Sequence, residues 1–282
     1  MRAAVVQMNS TAERDRNLAS AERLVRQAGG AGAQLIVLPE KWNVLGSAAD
    51  LQAGAEPLDG PSLGAARVWA RDLGTWLVAG SIAERPAEPA EDGRLFNTST
   101  LIDPEGEVVA AYRKIHLFDV EVGGATYRES DAEQPGSEVV LAEANGLELG
   151  LTVCYDLRFP ELYRILAVRG ARAFTVPSAF TTHTGRDHWE VLLRARAIEN
   201  QAFVIAAGQH GAAPPNYESY GRSAIVDPWG VVLAVAADGE GIATADLDLA
   251  AQERVRASLP SLANRRPEAY RWPDPVEAVS GG

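Results

Sequence analysis

Cys154 ends the apolar run over 147–153 and directly precedes Tyr155-Asp156-Leu157-Arg158-Phe159-Pro160, a polar turn with proline at a helix start. A thiol where a strand meets a helix N-terminus can have its pKa lowered by the helix dipole and can open onto a crevice, the setting of a nucleophile. The same position also suits a buried core cysteine, since free Cys is among the most buried residue types. A nucleophile needs a base and a group to receive the developing oxyanion. Glu40 closes the run Leu35-Ile36-Val37-Leu38-Pro39, which puts a carboxylate at a strand end facing either a crevice or open solvent. Lys114 follows the apolar strand over 108–112 and, taken alone, is a solvated charge. Only together do the three offer a thiol, a base and an ammonium.

Other chemistries fit less well. The four histidines, His116, His183, His188 and His210, show no His-x-x-x-His spacing, and one cysteine cannot build a thiolate cage, so neither a metal nor another cofactor is expected. Gly60-Pro61-Ser62-Leu63-Gly64 matches the G-x-S-x-G spacing of a serine hydrolase. That turn requires a strand directly before it, whereas residues 52–59 are polar and Asp59 with Pro61 marks a helix start.

The elements that must position these residues alternate as in an α/β protein. Strands are predicted over 3–7, 35–38, 76–82, 98–102, 108–112, 147–153, 174–176, 203–207, 223–226 and 231–236. Helices are predicted over 14–28, 61–73, 160–169, 188–200 and 250–258. An internal repeat organises them. Leu101-Ile102-Asp103-Pro104-Glu105-Gly106 resembles Ile225-Val226-Asp227-Pro228-Trp229-Gly230, in each case an Asp-Pro-x-Gly turn between two apolar strands. A helix and a strand precede each hairpin. Further back, Gly32-Ala33 stands seven residues before Pro39, as Gly170-Ala171 does before Pro177. Each half is then a mixed sheet with helices on one face, and stacking the two sheets gives a four-layer αββα sandwich. Glu40 occupies the place of Ser178 in the other half, at the carboxyl end of an equivalent strand.

The composition bounds the function classes. In 282 residues, 46% are hydrophobic and 23% charged, which excludes a largely disordered chain. A net charge of −12 works against a nucleic-acid or anionic-membrane partner. The single cysteine excludes an internal disulfide and fits a reducing, cytoplasmic compartment. The start of the chain is too short in apolar residues for a secretory segment, and no later run approaches a membrane span, so the sequons at Asn9 and Asn97 are read as chance. A single domain is expected over 1–272, followed by a mobile tail over 273–282, with 86–93 as a Pro/Ala/Glu loop.

Three segments carry a resemblance that covers residues 1–272. Leu38-Pro39-Glu40, Tyr112-Arg113-Lys114-Ile115-His116-Leu117-Phe118-Asp119 and Gly150-Leu151-Thr152-Val153-Cys154-Tyr155-Asp156-Leu157-Arg158-Phe159-Pro160-Glu161 make the chain similar to the nitrilase, or carbon–nitrogen hydrolase, superfamily. The resemblance implies the αββα fold and a catalytic set of Glu40, Lys114 and Cys154, with Glu129 as a further active-site carboxylate and the Tyr155 backbone N–H as an oxyanion donor. Residues 188–200 with Ser219-Tyr220-Gly221-Arg222-Ser223 and Asp227-Pro228-Trp229-Gly230 look most like the deaminated glutathione amidase branch, with ω-amidase, acting on 2-oxoglutaramate, or another amidase or carbamoylase of the superfamily as the alternative. Such 2-oxo-acid amides need a cation for their carboxylate. Arg158 is the candidate, because a guanidinium holds a carboxylate bidentately. Phe180 and Thr184, in the loop after Pro177, match positions that line the pocket of relatives, while Thr181-Thr182-His183 and Gly123-Gly124-Ala125 depart from them. A homodimer or larger homo-oligomer is implied. A non-enzymatic interaction scaffold is the contrasting possibility, and an intact Glu-Lys-Cys set argues against it.

Overall fold

The computed structural model describes residues 1–88, 90–213 and 217–270. The tail expected over 273–282 lies outside them. Two sheets form the centre. The first runs β17 (Gly241–Asp246), β1 (Arg2–Gln7), β2 (Leu35–Val37), β3 (Trp76–Val78), β5 (Phe96–Ile102) and β4 (Ile82–Glu84), with β6 (Val108–Arg113) also paired to β5. The second runs β16 (Val232–Val235), β15 (Ala224–Val226), β12 (Phe203–Ala206), β11 (Ala173–Thr175), β10 (Leu147–Leu151) and β9 (Leu141–Ala144). Hairpins β7 (Asp119–Val122) with β8 (Ala125–Arg128), and β13 (His210–Ala213) with β14 (Tyr217–Tyr220), stand apart.

Side-chain alternation explains the layering, because successive strand residues face opposite sides. Ala3, Val5, Leu35 and Val37 join the core shared with Leu149, Leu151 and Val204 of the second sheet. Ala4, Val6, Ile36 and Leu38 instead pack with Leu24 and Val25 of α1 (Arg14–Gly30) and with Leu63, Ala66 and Trp69 of α3 (Pro61–Leu73). On the far side, α4 (Pro160–Val168) and α5 (Thr182–Asn200) supply Leu162, Leu166, Trp189 and Leu193. The fold is thus an αββα sandwich. Strands apolar on both faces are what a sheet buried between a helix layer and another sheet requires.

The two halves are equivalent in detail. In each, a strand pairs parallel to both neighbours, β2 with β1 and β3, and β11 with β10 and β12. Each Asp-Pro-x-Gly hairpin carries a bulge at the same place, Leu101/Ile102 and Ile225/Val226. Asp103 Oδ1 accepts the N–H groups of Glu105 and Glu107, and Asp227 Oδ1 accepts those of Trp229 and Val231. Even the helix contact repeats: Arg67 Nε donates to the Gly106 carbonyl at 2.6 Å and Arg194 Nε to that of Gly230 at 2.8 Å.

Two expectations change. The strand read over 76–82 is two strands, β3 and β4, broken at Gly80. There φ is +44° and an added Cβ would lie 1.9 Å from the Pro39 carbonyl oxygen, so the chain turns where only glycine passes beneath the segment leading to Glu40. The helix read over 188–200 begins at Thr182, with Thr181 as its N-cap, so Thr184 lies in the first helical turn rather than in a loop. Gly185, which weakens the helical pattern, is there because a Cβ would meet the Tyr220 side chain at 2.5 Å. Gly123 and Gly124 form the short two-residue turn between β7 and β8, a hairpin that the sequence reading did not assign. The other elements missed are α2 (Ala48–Gly54), β9, β13, β14 and β17, while α6 (Leu249–Ser258) starts one residue early.

Candidate active site

Cys154 opens a 3₁₀ turn over Cys154–Arg158, between β10 and α4, with φ +47°. A non-glycine residue there is strained and persists only if its surroundings hold it. Its own N–H donates to the Pro177 carbonyl at 2.8 Å, and the buried Asp156 carboxylate accepts the Val153 N–H at 2.8 Å and the Tyr112 hydroxyl at 2.7 Å. Asp156 also meets His116 Nδ1 at 2.8 Å and its backbone N–H at 3.2 Å.

Around the thiol stand three buried carboxyls and two buried ammoniums. Glu40, just past β2, accepts hydrogen bonds from Lys114 Nζ at 3.1 Å, Asn97 Nδ2 at 2.8 Å and the Ala179 N–H at 2.8 Å. Lys114, at the end of β6, donates to both Glu129 oxygens, at 2.8 and 2.7 Å. Glu129 further accepts the Phe118 N–H at 2.7 Å. Burial opposes the Lys114 ammonium, but the carboxylates of Glu129 and Glu40 outweigh it and raise its pKa well above the ordinary lysine range. Burial also opposes the charge on Glu129, and Lys114 and Lys41 overcome it, holding Glu129 far below the usual carboxylate range. For Cys154, burial and then Glu40 push the thiol well up, against the lowering by Lys114. The helix-terminus lowering anticipated from sequence is overridden: the resting group is a neutral thiol facing a carboxylate.

These groups share a cavity of about 480 Å³ that all eight singled-out residues line: Glu40, Lys114, Glu129, Cys154, Tyr155, Arg158, Phe180 and Thr184. The Tyr155 ring packs edge-on against Phe118 at 5.0 Å and Phe159 at 5.3 Å, and its backbone N–H follows Cys154 in the turn. Arg158 lies over the Phe180 ring at 5.0 Å and beside His188 Nδ1 at 3.2 Å, and pairs with no carboxylate among the described residues. Thr184 Oγ1 lies 3.0 Å from Thr181 Oγ1, so its hydroxyl is engaged at the helix cap.

Sequence reasoning passed over Lys41, Asn97, Glu133, Asp156 and the Ala179 N–H. Lys41 lies beside Glu40 in sequence and Glu133 four residues after Glu129, a local charge pattern that could have flagged both. Nothing local marks Asn97, which β5 brings in from between β3 and the β4 and β6 edge of the first sheet.

A sandwich of two equivalent halves that places a thiol, a carboxylate and an ammonium together at the strand ends agrees with a family match. Residues 2–257 match the carbon-nitrogen hydrolase family, and the chain belongs to that family. It is a hydrolase acting on amide carbon–nitrogen bonds. The deaminated glutathione amidase of Mus musculus is 42% identical over 271 residues, covering 95% of this chain and 84% of that protein. Omega-amidase NIT2 of Danio rerio is 36% identical over 270 residues, 95% of this chain and 96% of that one. The crystal structure of the C. elegans NitFhit protein superposes with a TM-score of 0.87 at 36% identity, covering 96% of this chain and 66% of the longer protein.

Proposed function

We propose that the chain hydrolyses the amide of a small 2-oxo acid, foremost deaminated glutathione, through a thioester on Cys154. The observation that carries this reading is Lys114 Nζ standing 3.1 Å from Glu40 and 2.7 Å from Glu129 in the cavity that holds the Cys154 thiol. Glu40 takes the thiol proton as sulfur attacks the amide carbon. The oxygen's developing charge is met by the Lys114 ammonium and the Tyr155 N–H, each worth about 3 kcal/mol by analogy with other oxyanion donors. The tetrahedral adduct collapses, the carbon–nitrogen bond breaks, and the leaving amine receives the proton from Glu40. Water, deprotonated by Glu40, then attacks the thioester, releasing the acid and restoring the thiol. Glu129 keeps Lys114 charged and oriented.

Arg158, half-buried and free of carboxylate partners among the described residues, suits the substrate's own carboxylate, with Phe180 supporting the guanidinium from behind and Thr184 completing the wall. The similarity to omega-amidase NIT2 supports 2-oxoglutaramate as the second candidate. Acid release from deaminated glutathione and from 2-oxoglutaramate, measured side by side with Cys154→Ala as control, separates the two. Preference for the first supports the reading, preference for the second moves it to ω-amidase, and turnover of neither rejects the pocket assignment. The same reading carries a homodimer or larger homo-oligomer in the cytoplasm, checked by light scattering and cell fractionation.

A further inference from the structure

Lys41 and Glu133 form a buried ion pair in the cavity that the reaction above leaves without a role. Glu133 is completely buried, and neither of its carboxyl oxygens receives a hydrogen bond among the described residues. Lys41 Nζ lies 2.9 Å from Oε1 as an ion-pair contact, out of line for a hydrogen bond, and 3.5 Å from Glu129 Oε1. Lys41 sits in the turn after Glu40 with a left-handed φ of +51°, which sends its side chain toward Glu129 and Glu133. A fully ionised carboxylate with no aligned donor is costly in such a place, whereas a carboxyl that carries a proton can donate it to a neighbouring carboxylate.

We propose that Lys41 and Glu133 are positioning residues for amide hydrolysis: Glu133 carries a proton and donates it to Glu129, while Lys41 keeps Glu129 ionised beside Lys114. Glu40 and Glu129 then face Lys41 and Lys114, two carboxylates against two ammoniums, with Cys154 and Glu133 neutral. Burial and then Glu129 push the Glu133 carboxyl up to about 8 against the opposing pull of Lys41. The pair of carboxyls thus shares one proton near neutrality. Lys41 reaches Glu133 from the turn after β2, Glu129 from its own 3₁₀ turn, and Lys114 from the end of β6. Glu40, Cys154, Arg128 and Arg158 line the same cavity. On the segment whose Leu95 backbone pairs with Glu133, Arg94 and Asp92 bind each other at 2.6 Å. When Glu133 loses its proton, a third carboxylate opposes the anion that forms on the substrate oxygen, and the rate falls.

The test is the pH profile of kcat, and the inference rests on the Cys154 reading above. The expected wild-type profile is a kcat that declines on the alkaline side with a midpoint of about 8. Glutamine is neutral at every pH and still donates an N–H, so Glu133→Gln raises the ratio of kcat at about pH 9 to kcat at about pH 7 roughly tenfold over wild type. Lys41→Met removes the charge that favours ionised Glu133, so its alkaline limb moves to higher pH, and Lys41→Arg returns it. A limb unmoved in both Glu133→Gln and Lys41→Met overturns the proposal. The Lys41 pair decides it if Glu133→Gln does not fold. Activity that survives Cys154→Ala would instead reject the nucleophile assignment, a separately visible outcome.

Discussion

Asp156 touches no substrate in the reading above, yet the geometry of Cys154 hangs on it. Asp156→Ala strips the acceptor from the Tyr112 hydroxyl and the Val153 N–H, both in fully buried residues, and from two partly buried His116 groups. An orphaned buried donor costs about 1–3 kcal/mol, so the first two alone predict roughly 2–6 kcal/mol of lost stability. That is a large share of the roughly 5–15 kcal/mol that holds a typical domain together. The activity loss follows from a different cause. Releasing the Val153 N–H frees the turn that holds Cys154 at φ +47°, and a displacement of about 1 Å at a reacting atom costs on the order of 10²-fold in rate. Asp156→Asn is the informative companion. Its oxygen can stay with Tyr112 and Val153 while its NH₂ faces His116 Nδ1, which accepts once the imidazole proton moves to Nε2, leaving only the His116 backbone N–H unmatched. It should therefore cost less than half as much as alanine. Urea unfolding gives the stability difference, provided the slope is unchanged, and steady-state kinetics gives the rate. An Asp156→Ala protein within about 0.5 kcal/mol of wild type and with a normal kcat would refute the claim that this carboxylate holds the turn.

Gly80→Ala should abolish soluble folded protein or cost at least about 3 kcal/mol, since its Cβ would overlap the Pro39 carbonyl, whereas Gly93→Ala, with open space around it, should cost about 1 kcal/mol; thermal melts compare them. Arg158→Met should raise KM roughly 10–100-fold for an anionic amide and leave a neutral aliphatic amide nearly unchanged, the loss of a charge-assisted pair read from steady-state kinetics. The raised pKa of Cys154 means that thiolate is absent at neutral pH and appears only as pH climbs above the ordinary thiol range. Because the chain holds one cysteine, the ultraviolet difference spectrum between wild type and Cys154→Ala reads this directly, and a thiolate band at neutral pH would contradict it.

What could be read from the chain depended on how local the signal was. The Asp-Pro-x-Gly hairpins were legible because proline, glycine and the Asp side chain act within five residues, and the matching flanks then implied two stacked sheets. The Cys154, Glu40 and Lys114 segments were legible through family resemblance more than through their surroundings, which left each open to a structural reading. The start of α5 was hidden because Thr181-Thr182-His183-Thr184-Gly185 is poor helical sequence. It is helical because Thr181 caps it and Tyr220 packs where a Gly185 side chain would be. Strand β17 is built mostly of small residues with a single large apolar side chain, Ile242, and its place is set by pairing with β1 from the opposite end of the chain. The contact of Lys41 with Glu133 depends on the left-handed backbone at Lys41, which no local propensity announces.

The central claim is that the carbonyl carbon of the substrate becomes bonded to Cys154. Rapid acid quenching of the enzyme during turnover of deaminated glutathione or 2-oxoglutaramate, followed by intact-mass and peptide analysis, tests it most directly. The account predicts an acyl adduct on the peptide carrying Cys154, absent from Cys154→Ala and enriched when water attack is slowed. Full turnover by Cys154→Ala, or an adduct on any other residue, would contradict it.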